Sequence, residues 1–351
     1  MHGTVGPRWI RFAALALLAA APAHAEKIIF SPTTTDLTVG HAAHSSLPRY
    51  LKCWEDEGLD VDVVGIQGAT AGMQQIAAKN ITFANVGPEV LMMARAKGAR
   101  VKAIYTYSRS TIYRAVALKS SGLTKTEDLR GKTMGVIAMS TGAFPYGKQM
   151  LQAAKINPDT DVQWLPIGEG AQAALALKRG DAAAWFAWDT AVAALEAQGL
   201  EFVHIKPPYF DELIGNVIVA HEDYLANNKA AATKVLRCIA KATIFGLTNP
   251  EKTIKVHWQY YPATRPEGSE AEAMKKARIV FDSRFAGYHV PAGVKWGENV
   301  ASQWQAVARL MQAEKLLPAD YDLPASYNNE LIDAINDFDA QAVVEAAKAA
   351  H

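Results

Sequence analysis

The sequence predicts an α/β fold built as two lobes, with a mainly helical C-terminal segment. From residue 27 onward, short apolar runs of strand length alternate with amphipathic stretches of helical period, the pattern of βαβ units with largely parallel strands. Residues 79–89 lie over residues 179–189 without a gap, and the same offset sets Gly68 on Gly168. Each copy reads loop, Ala-rich helix, basic or polar turn, strand, then an acid: Glu89 in the first and Asp189 in the second. Two extended runs, 112–118 and 213–220, read as crossings by which the chain leaves the first lobe and returns to it. Such a double hinge crossover suits closure around a ligand. It divides the chain into residues 26–112 with 220–351 as a discontinuous first lobe, and 113–219 as the second.

Half of the 351 residues are hydrophobic and a fifth are charged, an ordinary globular balance with room for two domains. Residues 1–25 stand apart. Arg8 and Arg11 precede the apolar run 12–21, and Ala23-His24-Ala25 is a small-x-small cleavage signal, so a secretory signal peptide cut after Ala25 is expected. It is too short to span a bilayer, and no cysteine follows it to carry a lipid. Those residues hold two arginines and no acid, so 34 basic and 35 acidic groups remain after cleavage, a formal charge of −1. That balance excludes a nucleic-acid or anionic-membrane surface as the basis of function. Cys53 and Cys238 both fall in helical patterns; an oxidising compartment permits a disulfide, and two buried thiols fit equally.

The elements follow in order. Residues 27–30 form the first strand, then a polar loop over 31–36 and a helix over 47–57. Strand 61–66 ends in Gln67-Gly68-Ala69-Thr70 before helix 71–79. Strand 81–86 ends in the turn Gly87-Pro88-Glu89, and helix 90–97 follows. Strand 101–105 closes this run. In the second lobe, strand 133–137 leads through a loop to a helix continuing over 148–154. Between them Ser140, Thr141 and Gly142 place hydroxyls and a glycine near a helix start, whose free N–H groups suit an anionic oxygen. Gly142…Gly147-Lys148 has the spacing of a nucleotide loop, but position 149 is Gln where that loop needs Ser or Thr, and Phe144, Pro145 and Tyr146 fill it. Past the Pro207-Pro208 break, His221-Glu222-Asp223 starts a helix, and helices 229–247, 250–260, 271–284 and 297–314 pack on the first lobe. The chain ends in an Ala-rich stretch over 340–350.

Enzyme motifs are absent from this pattern: there is no Gly-x-Ser-x-Gly and no His-Glu-x-x-His. His41 and His44, three apart, are read as solvent-facing histidines rather than metal ligands, since no third ligand lies near in sequence. No metal and no cofactor are expected.

Four motifs carry a family resemblance. Tyr50 and Trp54 lead into Glu55-Asp56-Glu57-Gly58-Leu59-Asp60-Val61; Asn80-Ile81-Thr82-Phe83-Ala84-Asn85-Val86-Gly87 follows; Glu127-Asp128-Leu129-Arg130-Gly131-Lys132 opens the second lobe; Arg179-Gly180-Asp181-Ala182 precedes Trp188. In this order and spacing the chain resembles the periplasmic substrate-binding proteins of ABC importers, in the nitrate/sulfonate/taurine and thiamine-pyrimidine-precursor group. It departs from that pattern at Asp189-Thr190, where Glu-Pro is usual, and at Asn80, where Gly is usual. The resemblance implies a periplasmic, monomeric, non-enzymatic binder that closes like a flytrap on a small polar organic molecule, a sulfonate, carboxylate or pyrimidine. It would deliver that molecule to ABC permease subunits and meet the membrane only through them. Same-fold biosynthetic enzymes of the pyrimidine-precursor and menaquinone-pathway types, and a periplasmic ligand-sensing partner, are the alternatives. The first enzyme carries a cysteine-rich motif this chain lacks, and the second works inside the cell, against the export signal.

The family holds its ligand between the lobes, over the strand ends. Carried onto this chain, that implies Gln67, Gly68, Ala69, Thr70, Gly87, Pro88 and Glu89 from the first lobe, and Ser140, Thr141, Gly142, Glu169, Trp188 and Asp189 from the second. Thr35, His41 and Ser108 are further first-lobe candidates. Trp188 and Phe144 would cover an apolar or ring portion, and the acids would accept hydrogen bonds from an amine or amide. Trp185 and Phe186 are assigned to the core. Arg109 and Arg114 are the bases nearest the hinge, and the sequence leaves open whether either meets an anion.

Overall fold

The computed structural model describes His2, Gly3 and residues 27–351 apart from Ser140. The rest of the expected signal segment, and Ser140, therefore lie outside the described residues. The strands are β1 (Lys27–Ser31), β2 (Asp60–Val63), β3 (Phe83–Val86), β4 (Val101–Thr106), β5 (Tyr113–Leu118), β6 (Thr133–Val136), β7 (Gln163–Pro166), β8 (Ala184–Trp188), β9 (Phe202–Ile205) and β10 (Val217–His221). They form two five-stranded sheets, ordered β2-β1-β3-β10-β4 and β7-β6-β8-β5-β9. The internal match is therefore architectural: β1, β2 and β3 hold the same places as β6, β7 and β8. Within each sheet those three strands run parallel. β10 and β5 run antiparallel to their neighbours, so the strands are less uniformly parallel than the alternation pattern suggests. Each enters from the opposite sheet through a short passage, and a parallel pairing would need a longer crossover.

The passages between sheets are residues 107–112 and 206–216, not the extended runs themselves. β5 lies wholly in the second sheet, and β10, including Val217–Val219 that the sequence placed in the second lobe, lies in the first. An apolar extended run looks alike from either side, and only pairing assigns it. The passages touch: the N–H groups of Tyr107 and Ser108 donate to the Asn216 carbonyl at 3.3 and 3.2 Å, and Gly215 N–H donates to Ser108 at 3.0 Å. Any side chain at Gly215 would collide with Ser108 Oγ and the Ser110 carbonyl.

The predicted helix 47–57 is two short ones, α1 (Ser46–Tyr50) and α2 (Cys53–Asp56), parted where Lys52 turns left-handed at φ 52°. On the first sheet lie α3 (Ala69–Ala77) and α4 (Pro88–Ala96); on the second, α5 (Ala143–Ala153), α6 (Gly170–Arg179) and α7 (Asp189–Ala197). α5 starts at Ala143, directly after Gly142 as the sequence suggested, with Pro145 in its first turn, where no N–H is needed. The C-terminal segment is α8 (Glu222–Asn227), α9 (Lys229–Thr248), α10 (Pro250–Tyr260), α11 (Glu270–Phe285), α12 (Ala301–Ala313), α13 (Ile332–Ile335) and α14 (Ala340–Ala349). His221 caps α8, its Nδ1 accepting from Asp223 N–H at 3.1 Å. α12 begins four residues later than expected, since Gly297 at φ 83° bridges to Thr106 instead.

This segment buries Leu236, Ile239 and Phe281 against Ile28, Phe30 and Phe83 of the first sheet. A disulfide joins Cys53 on α2 to Cys238 on α9, settling the pairing the sequence left open. Its 185-residue separation spans the second lobe, so the bond ties the outgoing and returning halves of the first. Closing so long a loop restrains the unfolded chain by about 5 kcal/mol in the loop-entropy account. Two helices of the segment also reach the second lobe, α11 against α7 and α12 against α5.

Candidate functional site

The strand ends that face the opposite lobe are those of β3 and β8, and each is followed by a helix starting with an acid. From β3 the chain passes through Gly87 and Pro88 into α4, which holds Glu89 in its first turn. Glu89 is fully buried, yet both side chains that hydrogen-bond it come from the other lobe. Tyr113 Oη, at the start of β5, donates to Oε1 at 3.2 Å, and Tyr146 Oη on α5 donates to Oε2 at 3.3 Å. The two tyrosine rings lie 4.9 Å apart, both buried. A side chain on Gly87 or Gly142 would collide with the Glu89 carboxylate, so both glycines are required by close approach. Burial pushes the Glu89 carboxyl up to about 7, against the pull of its own N–H and the two tyrosines.

The equivalent acid of the second lobe, Asp189, opens α7 after Trp188. Its Oδ1 lies 2.6 Å from Arg284 Nη2 on α11, and both side chains are only 4% exposed. Arg284 also donates to Thr190 Oγ1 at 3.3 Å, and Ser283 Oγ donates to the Asp189 carbonyl at 3.3 Å. Gly40 of the first lobe packs against Thr190 and Arg284, leaving little room for a Cβ. Burial opposes the Arg284 charge, but Asp189 and the hydroxyls of Tyr288 and Tyr107 outweigh it and hold the guanidinium firmly protonated. Burial first, and then the same cation, keep His44 neutral, its pKa down at about 3.

The structure thus gathers Gly87, Pro88, Glu89 and Gly142 at one interlobe contact and Asp189 at another. Thr141 Oγ1 donates to the Ala138 carbonyl at 2.8 Å, within its own turn. Phe144 meets Trp164 edge-on inside the second lobe, with centroids 4.9 Å apart. Gln67, Gly68 and Thr70 are exposed and Ala69 is half-buried at the start of α3. Glu169 is exposed at the start of α6, and its carboxyl is raised first by partial burial and then by Asp36 of the first lobe. Trp188 is half-buried and Thr35 exposed. Ser108 is buried in a passage, its Oγ donating to the Ser110 carbonyl at 3.0 Å.

One reading is corrected. His41 and His44 are buried, not solvent-facing: the 3-10 turn Val39–His44 is packed under the C-terminal helices, where His44 stacks on Phe30 and meets Tyr107. For Arg109, which the sequence left open, the structure shows the guanidinium donating to the carbonyls of Glu298 at 2.5 Å and Lys295 at 3.1 Å, anchoring the C-terminal segment to the passage. Sequence reasoning missed Arg284, Tyr113 and Tyr146. Arg284 lies 95 residues from Asp189 on an ordinary amphipathic helix, so no local signal marks it. Among the described residues no group of three or more His, Cys, Asp or Glu could hold a metal, and no helix is long and apolar enough to cross a membrane.

Comparison with known proteins places this geometry. The family model described as NMT1/THI5 like matches residues 53–253. The chain is 23% identical over 253 residues to the riboflavin-binding protein RibY of Chloroflexus aurantiacus, covering 72% of this chain and 70% of that one. It is 25% identical over 207 residues to the formylaminopyrimidine-binding protein of Halalkalibacterium halodurans, covering 57% and 61%. The solved periplasmic aliphatic sulphonate binding protein SsuA from Escherichia coli superposes with a TM-score of 0.67 at 17% identity, over 86% of this chain and 91% of that one. At such identity the superposition shows the fold, the two-lobed α/β fold expected from the sequence.

Proposed function

The chain belongs to the NMT1/THI5-like family, and we propose that it is a periplasmic solute-binding protein serving an ABC permease. It captures a small polar organic molecule, of the sulfonate, carboxylate or pyrimidine class, between its lobes and releases it to the membrane subunits. The observation that carries this reading is the construction of the cleft. Two sheets of matching strand order present the ends of β3 and β8 to each other, joined by only two adjacent passages. In open α/β sheets ligands bind beyond the carboxyl ends of strands, and paired lobes on two passages form a hinge. Relatives named as riboflavin- and formylaminopyrimidine-binding proteins support a binder over an enzyme. The secretory signal expected over residues 1–25 from the sequence pattern supports the compartment.

On this reading Gln67, Thr70, Thr141, Glu169 and Trp188 rim the opened cleft, and Glu89 and Asp189 are uncovered as the lobes part. A thermal-shift screen of ligand-stripped protein against sulfonates, carboxylates, pyrimidines, riboflavin and nitrate tests it. A solute at 100 times its Kd should stabilise the protein by about 2.7 kcal/mol. A melting temperature unmoved by every class would overturn the binder reading.

A further inference from the structure

Glu89 and Asp189 are the buried acidic residues among those described, and only Asp189 has a cation. The groups that act on Glu89 are its own N–H, Tyr113 from β5 and Tyr146 from α5. Charged groups on the neighbouring elements are engaged elsewhere. Arg95, at the far end of α4, bonds Glu222 and the Val101 carbonyl. Lys148 on α5 pairs with Asp159 and Glu314. On the α11 side Arg284 pairs with Asp189, and together with Tyr107 it acts on Tyr113 rather than on Glu89. The carboxyl belongs to the first lobe, while both side chains that bond it, and Gly142 packed against it, belong to the second. Closure therefore buries an acid with no counter-charge, and opening returns it to water.

We propose that Glu89 is a proton-binding site that couples lobe closure to pH, taking up a proton as the lobes close and releasing it as they open. In the closed form burial raises the carboxyl from 4.5 to about 7; with that burial removed on opening, the cause of the shift is lost and the carboxyl returns toward its ordinary value. The sign follows from linkage. A group whose closed-state pKa is raised favours closure fully below about 4.5, and that support is lost as pH rises to about 7. The closing equilibrium weakens by up to roughly 300-fold across that window, tenfold per unit. A solute held at acid pH would thus be released more readily as pH rises. Neutral tyrosine donors suit this role, since both can also bond the protonated acid.

The inference rests on the opening and closing motion of the proposed function but needs no solute, so a failed ligand screen leaves its test intact. Small-angle scattering of the ligand-free protein at pH 5 and pH 8 reads the closed fraction, with near-ultraviolet dichroism confirming the fold. Wild type should expand at pH 8, and Glu89→Gln should stay compact at both. Infrared difference spectra, wild type minus Glu89→Gln, should show a protonated carboxyl that titrates near 7. If Glu89→Gln does not fold, Tyr146→Phe serves: it removes a donor to the ionised form and should move the midpoint upward. An ionised Glu89 already at pH 5, or a wild-type radius unchanged between the two pH values, overturns the proposal.

Discussion

Glu89 and Asp189 open equivalent helices after equivalent strands, and each reaches a partner in the opposite lobe. Glu89 meets two phenols, whereas Asp189 meets a guanidinium at 2.6 Å. A phenol can solvate a carboxylate but cannot cancel its charge, so burial dominates and lifts the Glu89 carboxyl to about 7. Repetition of a fold unit reproduces the position of an acid. Its chemistry is set by the facing element, which the repeat does not duplicate.

The sharpest way to break this contrast is to remove the guanidinium. Arg284→Leu should strand Asp189 as a buried, uncompensated charge and cost about 3–5 kcal/mol in denaturant unfolding. Replacing both partners, as in Arg284→Met with Asp189→Leu, should recover most of that loss, because two desolvated charges vanish together. A double variant as unstable as the single one would mean that packing, not charge, dominates this contact. For the phenol-bound acid the expectation reverses. Glu89→Gln should match wild type near pH 4.5 and be more stable by up to about 3 kcal/mol at pH 8, where wild type must ionise a buried carboxyl. Equal pH profiles for the two proteins would erase the distinction between the acids. The smallest effect is expected from Tyr146→Phe, about 1–2 kcal/mol at pH 8 and less at pH 5, since its hydroxyl serves the ionised acid more than the neutral one. Melting curves at the two pH values check this.

Much of the fold was legible in the chain itself. The apolar runs of β1, β3, β6 and β8, the start at Pro250, and the match of residues 79–89 with 179–189 are local patterns, and local patterns survive in sequence. The family motifs likewise are contiguous stretches of chain, each joining neighbouring elements, which is why the two-lobed fold could be read from them. Tertiary structure alone decided the rest. Whether an extended run such as 213–220 spans lobes or pairs within a sheet depends on which edge it meets, as does the antiparallel sense of β5 and β10. The Cys53–Cys238 bond depends on α9 returning to α2 across a whole lobe. The partners of Glu89 and Asp189 lie 24, 57 and 95 residues away, and nothing in the chain links them to these acids. Hydrogen bonds and ion pairs act over ångströms in space and leave no periodicity along a chain, so the sequence determined where the acids stand and the packing of one lobe on the other determined what each of them meets.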